Sequence, residues 1–127
     1  MNESILKTIK KLLGIDSENI DFDFDIMLYI NMALLNLLQL GVGPSGGFAL
    51  IDSSQTWGDL LTDNNLLLTV PTYISLKVKM MFDQQAMTSI MRDLCQAECE
   101  QLEWRIREQV EYTAHLEEKK MEENGDS

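Results

Sequence analysis

Cations are scarce in this chain: ten Lys and Arg residues stand against 21 Asp and Glu, giving a formal net charge of -11 over 127 residues. That deficit excludes a surface that grips the DNA backbone or an anionic membrane by charge, because both would repel it. It suits a basic partner, or a wall past which nucleic acid slides without adhering. Histidine occurs once, as His115, with no nucleophile and no fixed acid beside it, so the sequence offers no catalytic constellation and an enzyme is not expected. Cys95 and Cys99 are the only cysteines. Four apart in one predicted helix, they lie on consecutive turns where thiols rarely bridge, and no further soft ligands stand close enough to make a metal site. They read as small apolar residues in a reducing compartment. Long apolar runs are also missing. The longest uncharged stretch, Ile26 to Leu40, is too short to span a bilayer and reads as a buried core helix. Lys7, Lys10 and Lys11 break up the N-terminal apolar residues, so no signal peptide and no membrane partner are expected.

What is present is apolar and helical. Hydrophobic residues make up 45% of the chain, enough for one real core and one domain. Ser4 can cap a first helix with Ile5, Leu6, Ile9, Leu12 and Leu13 on one stripe, ended by Gly14. Lys7, Lys10 and Lys11 lie off that stripe and read as a solvated face. Asp21, Asp23 and Asp25 crowd the start of a second helix, where carboxylates complement the helix dipole. A calcium loop would need a Gly turn and a closing Glu that are absent. In the second helix Ile26, Met27, Ile30, Ala33, Leu34, Leu37, Leu38 and Leu40 fill one face. Opposite them Leu28, Tyr29, Met32 and Leu35 lie among Asn31, Asn36 and Gln39. A helix apolar nearly all round is buried on several sides, by the last helix of its own domain or by another subunit.

Gln39 to Trp57 then interrupts the helical pattern with a concentration of glycine around Pro44. It is not a phosphate loop, lacking both the Lys and Ser/Thr pair and a preceding strand. Phe48, Leu50 and Ile51 supply an apolar segment suited to a short strand or a projecting hairpin arm. Thr56 can cap a short helix carrying Trp57, Leu60 and Leu61, with the indole packing the return of the loop against the bundle. Thr69 and Pro71 open a third long helix, in which Lys77 falls amid apolar residues and either snorkels or meets a carboxylate of another helix or subunit.

After a break at Phe82 to Gln85, a last helix is expected from about Thr88 to about Glu118, with Met91, Leu94, Cys95, Cys99, Leu102, Ile106 and Val110 on its buried stripe. Trp104 points the other way, on a face shared with Ala97 and several glutamates; it is either a partner anchor or covered by the first helix. The fold class is therefore all-α: a bundle of about four helices plus a short one, with a long Gly-rich loop or hairpin between the second and third long helices. One helical domain is expected over residues 1–116. Residues 117–127 form an acidic tail with nothing to bury, expected to fray or be disordered.

Several strings, in order, resemble the small head-tail connector proteins of long-tailed bacteriophages. They are ILKTIKKLLGI at Ile5 to Ile15, INMALLNLLQLGVGP at Ile30 to Pro44, the F-x-L-I-D-x-S-x-x-TW run ending at Trp57, YISLKVKMMFD at Tyr73 to Asp83, and LEWRI at Leu102 to Ile106. One departure is Gln84 and Gln85, where that family often carries prolines after the Phe-Asp pair. The resemblance implies a helical virion protein, made in the host bacterial cytoplasm and needing no cofactor. It would assemble as a homo-oligomeric ring, twelve-fold in the virion, beneath the portal protein. Such a ring extends the channel through which DNA passes and offers a platform to the next neck or tail-completion protein. Leu28, Met32, Leu35, Gly43, Pro44, Phe48, Ile51, Trp57, Lys77 and Trp104 are the candidate subunit or partner contacts. The alternative from charge alone is an acidic helical DNA mimic that inhibits a DNA-binding protein.

Overall fold

The structure, a computed structural model, describes residues 1–125. The last two residues of the expected tail lie outside the described residues. Helix α1 spans Ile5–Leu12, α2 Asp23–Gln39, α3 Trp57–Leu60, α4 Val70–Phe82 and α5 Ser89–Gly125, with a 3-10 helix at Asn64–Leu68. The fold is all-α, with no strand among the described residues.

Local chemistry sets the helix ends. Ser4 Oγ accepts from the Lys7 N–H at 3.2 Å and caps α1. At the other end the Ile15 N–H reaches Lys10 O and the Gly14 N–H reaches Lys11 O, a Schellman closure. Helix α2 closes the same way, with Val42 N–H on Leu37 O and Gly41 N–H on Leu38 O. Gly41 has φ +89°, and a Cβ built there would lie 2.9 Å from Val110 Cγ1 of α5. Only glycine allows both that turn and that approach. Pro71 sits in the first turn of α4, where its missing N–H costs nothing.

Helix α4 is the central element, packed against α1, α2, α5 and the 3-10 helix. Ile74 and Val78 of α4 are fully buried in a core with Ile5 and Ile9 of α1, Ile30 and Leu37 of α2 and Ile106 of α5.

Four expectations need correction. Lys10 is not solvated: its side chain is 2% exposed, its ammonium lies 2.7 Å from Asp23 Oδ1, and it donates to the carbonyls of Asn19 and Ser17 at 2.7 and 3.2 Å. Asp23 thus leaves the aspartate run to meet a buried cation, tying α1 to the start of α2.

The segment Phe48 to Ile51 is neither a strand nor a projecting arm. Asn31 of α2 clamps it by accepting from the Leu50 N–H at 2.7 Å and donating to Leu50 O at 3.0 Å, and Leu50 is buried. The amide satisfies both backbone groups of one residue, as a paired strand otherwise would.

Met91 and Leu94 are exposed rather than buried, because α5 joins the core only further along, at Cys99, Leu102 and Ile106. Finally, α5 runs on in helical conformation past Leu116 to Gly125. Glu, Lys and Met are strong helix formers, and here local propensity suffices where burial is lacking.

Candidate assembly surfaces

Helix α2 buries Ile26, Ile30, Ala33, Leu34 and Leu37 against the bundle and leaves the opposite face bare. On that face Phe24, Leu28, Met32 and Leu35 are all exposed, Leu35 by 64%. Their spacing of four, four and three places them in one row about 16 Å long. Leu28, Met32 and Leu35 were legible from the sequence. Phe24 was missed because it stands between aspartates, although its distance of four from Leu28 would have placed it.

A second bare row runs along α5. Ile90, Leu94, Ala97 and Trp104 recur at four, three and seven residues, again one face. Trp104 is 61% exposed. Helix α1 packs on α2 and α4, so it does not cover the indole. Ile90 and Leu94 join this row only because α5 starts outside the core.

The loop residues divide. Gly43, Pro44 and Ile51 lie at the surface, while Phe48 is half-buried against the core. Trp57 is 2% exposed and its indole N–H donates to Thr8 Oγ1 at 3.1 Å. Its backbone N–H also reaches Glu3 O, beside the bridge between Ser4 and Thr56. The indole therefore holds the returning loop to α1, which removes it from the residues free to touch another subunit.

Lys77 meets a carboxylate of its own chain. Its Nζ is 3.9 Å from Glu103 Oε1 and 5.7 Å from the Tyr73 ring centroid. The Tyr73 hydroxyl donates to the same Glu103 oxygen at 2.8 Å, so one polar cluster joins α4 and α5. Burial, then the Glu103 bond and charge, push the Tyr73 phenol far above its ordinary range. Cys99 lies beside this cluster, fully buried. Burial pushes its thiol up to about 11, against the opposing pull of Lys77. At pH 8, thiol labelling of the native chain is accordingly expected to modify half-buried Cys95 well ahead of Cys99, with Cys99 reacting only on unfolding. Equal labelling rates would contradict the packing of α5 on α4.

Asp63 fastens the far part of α5. Its carboxylate accepts from Thr113 Oγ1 at 2.8 Å and Gln109 Nε2 at 3.1 Å, and from the Asn65 N–H at the start of the 3-10 helix. Burial works to raise its pKa, but these bonds outweigh it and hold the carboxyl below the usual range. No local spacing announces this latch, since Asp63 is 46 residues from Gln109. Beyond Thr113, residues 114–125 of α5 are exposed.

Among the described residues there is no group of three or more His, Cys, Asp or Glu side chains placed to hold a metal ion. No described helix is long and apolar enough to cross a membrane. Compared with known proteins, residues 5–113 match the model of a family described as phage connector protein. No curated protein and no solved structure matches the chain.

Proposed function

The chain belongs to the phage connector protein family, and from that premise we propose that it assembles as a ring of identical copies beneath the portal at the head-tail junction. The ring, twelve-fold in the virion, extends the DNA channel and presents its far side to the next neck or tail-completion protein. The protein is made in the host cytoplasm and acts by assembly rather than turnover.

The observation that supports this most directly is the pair of separate bare apolar rows on α2 and α5. A two-fold dimer uses one patch twice, whereas a ring joins two different patches head to tail. Leu28, Met32 and Leu35 on one side, and Trp104 on the other, are the contacts proposed, with Gly43, Pro44, Phe48 and Ile51 at the rim. Each apolar side chain buried between copies contributes roughly 1.5–3 kcal/mol, so a few repeated around a ring suffice. The charge of -11 suits a lumen that does not trap the phosphate backbone.

Negative-stain imaging of the concentrated protein with and without portal tests the assignment. A ring seated on the portal is expected. Salt-sensitive capture of a nuclease or repressor, with no portal binding, would favour the DNA mimic instead.

A further inference from the structure

The bare row of α2 runs into an open groove of about 520 Å³ between α2, α4 and the first turns of α5, to which Met32 and Leu35 both contribute. Met80 and Met81 line it beside them. Methionine side chains reshape around an incoming group and make favourable sulfur contacts with aromatic rings. The charged lining is entirely cationic, Lys77 and Arg92, in a chain with 21 Asp and Glu. Lys77 already faces Glu103 across 3.9 Å, while half-buried Arg92 forms no ion pair among the described residues. The groove is thus suited to an aromatic side chain flanked by carboxylates.

The middle of α5 offers that combination. Trp57 is buried, which leaves Trp104 as the chain's one exposed indole. On a helix of 3.6 residues per turn, Asp93, Ala97, Glu100, Glu108 and Glu111 lie within about 40° of Trp104, and all are exposed. Glu100 and Glu108 bracket the indole about one turn to either side. Arg107 and Arg105 lie off that face, about 60° and 100° round the helix. Trp104 cannot enter the groove of its own copy. Arg92 precedes it on the same continuous helix, about 18 Å along the axis and about 120° round it. Groove and indole can therefore meet only between copies.

We propose, resting on the connector reading above, that Trp104 of one copy seats in the α2/α4/α5 groove of the next. The indole packs against Met32, Leu35 and Met81, and the carboxylates of Glu100 and Glu108 meet Arg92 and Lys77. The aromatic ring supplies buried area, while the charges fix register and select the acidic face of another copy. The contact joins two different patches, so it either closes a ring or propagates.

Co-sedimentation of full-length variants with the portal tests the docking. Trp104→Ala trims an exposed side chain, and Arg92→Glu places a carboxylate near the N-terminus of α5, where the helix dipole favours it, so both free chains should melt as the wild type does. Each is expected to weaken assembly at least about tenfold. Glu100→Lys with Glu108→Lys should weaken it likewise. Combined with Arg92→Glu, that pair should recover part of the loss, because every contact then carries the reversed charges. Arg92→Glu with Glu117→Lys and Glu118→Lys has the same net charge and should stay weak. Wild-type assembly by Trp104→Ala or Arg92→Glu, no recovery in the reversed chain, or equal recovery with the distal pair would each overturn the docking, and wild-type rings on the portal would leave the connector reading standing. Failure of the wild-type chain to engage the portal would remove both.

Discussion

Trp57→Ala is expected to lower the unfolding free energy by about 3–5 kcal/mol, as large-to-small changes at fully packed aromatic sites do. The indole is buried, it bonds Thr8 Oγ1, and the residues around it fasten the N-terminus to the returning loop. Removing it opens a void between α1 and α3 and leaves the Thr8 hydroxyl without that partner. In a domain of this size the loss corresponds to a fall in Tm on the order of 10–20 °C. Equilibrium urea unfolding checks the free energy and scanning calorimetry the midpoint. Trp57→Phe, which keeps most of the apolar volume and loses the N–H, should cost clearly less. Near-normal melting with lost assembly would instead return Trp57 to the interface.

Lys10→Met is expected to cost about 3 kcal/mol, the range found when one partner of a buried ion pair is removed. Methionine retains the length and apolar stem of the lysine, so the loss isolates the charge. Asp23 Oδ1 has no hydrogen-bond partner other than this ammonium, and the carbonyls of Ser17 and Asn19 lose a donor as well. Adding Asp23→Asn should recover part of the loss, because the uncompensated carboxylate is the larger penalty. Urea unfolding of the two single variants and the double variant gives the coupling. A Lys10→Met chain as stable as wild type would mean that the ammonium is solvated, as the bare sequence suggests.

These two residues mark the boundary of what the sequence revealed. Trp57 announced itself by local chemistry: Thr56 begins a helical turn, and an indole just inside it had to be packed. The same local logic placed α1 by Ser4 and Gly14, and the start of α4 by Pro71. Each is fixed by atoms within a few residues.

Lys10 was misread because its partner Asp23 lies 13 residues away across a bend, and nothing in helical periodicity distinguishes a buried cation from a solvated one. Asn31 was misread for a similar reason. Its amide marked a polar face, whereas it clamps the backbone of Leu50, 19 residues on. The Asp63 latch on Gln109 and Thr113 is likewise a tertiary contact with no sequence spacing of its own.

The candidate surfaces were half legible. Leu28, Met32, Leu35 and Trp104 stood out because their apolar character conflicted with the polar faces around them. Met91 and Leu94 could not be sorted, since a stripe that packs on its own bundle and one that awaits another subunit have the same period. The C-terminal segment was judged by its inability to form a core, when its Glu, Lys and Met content already favours a helix.

Native mass spectrometry of the chain mixed with its portal tests the central claim most directly. If α2 and α5 present two halves of one repeating contact, the bound species must carry many copies of the 14.5 kDa chain. They should form a single closed number, and Met32→Glu should abolish that species without changing the melting of the free chain. A 14.5 kDa monomer that leaves the portal unoccupied at every concentration would contradict the account.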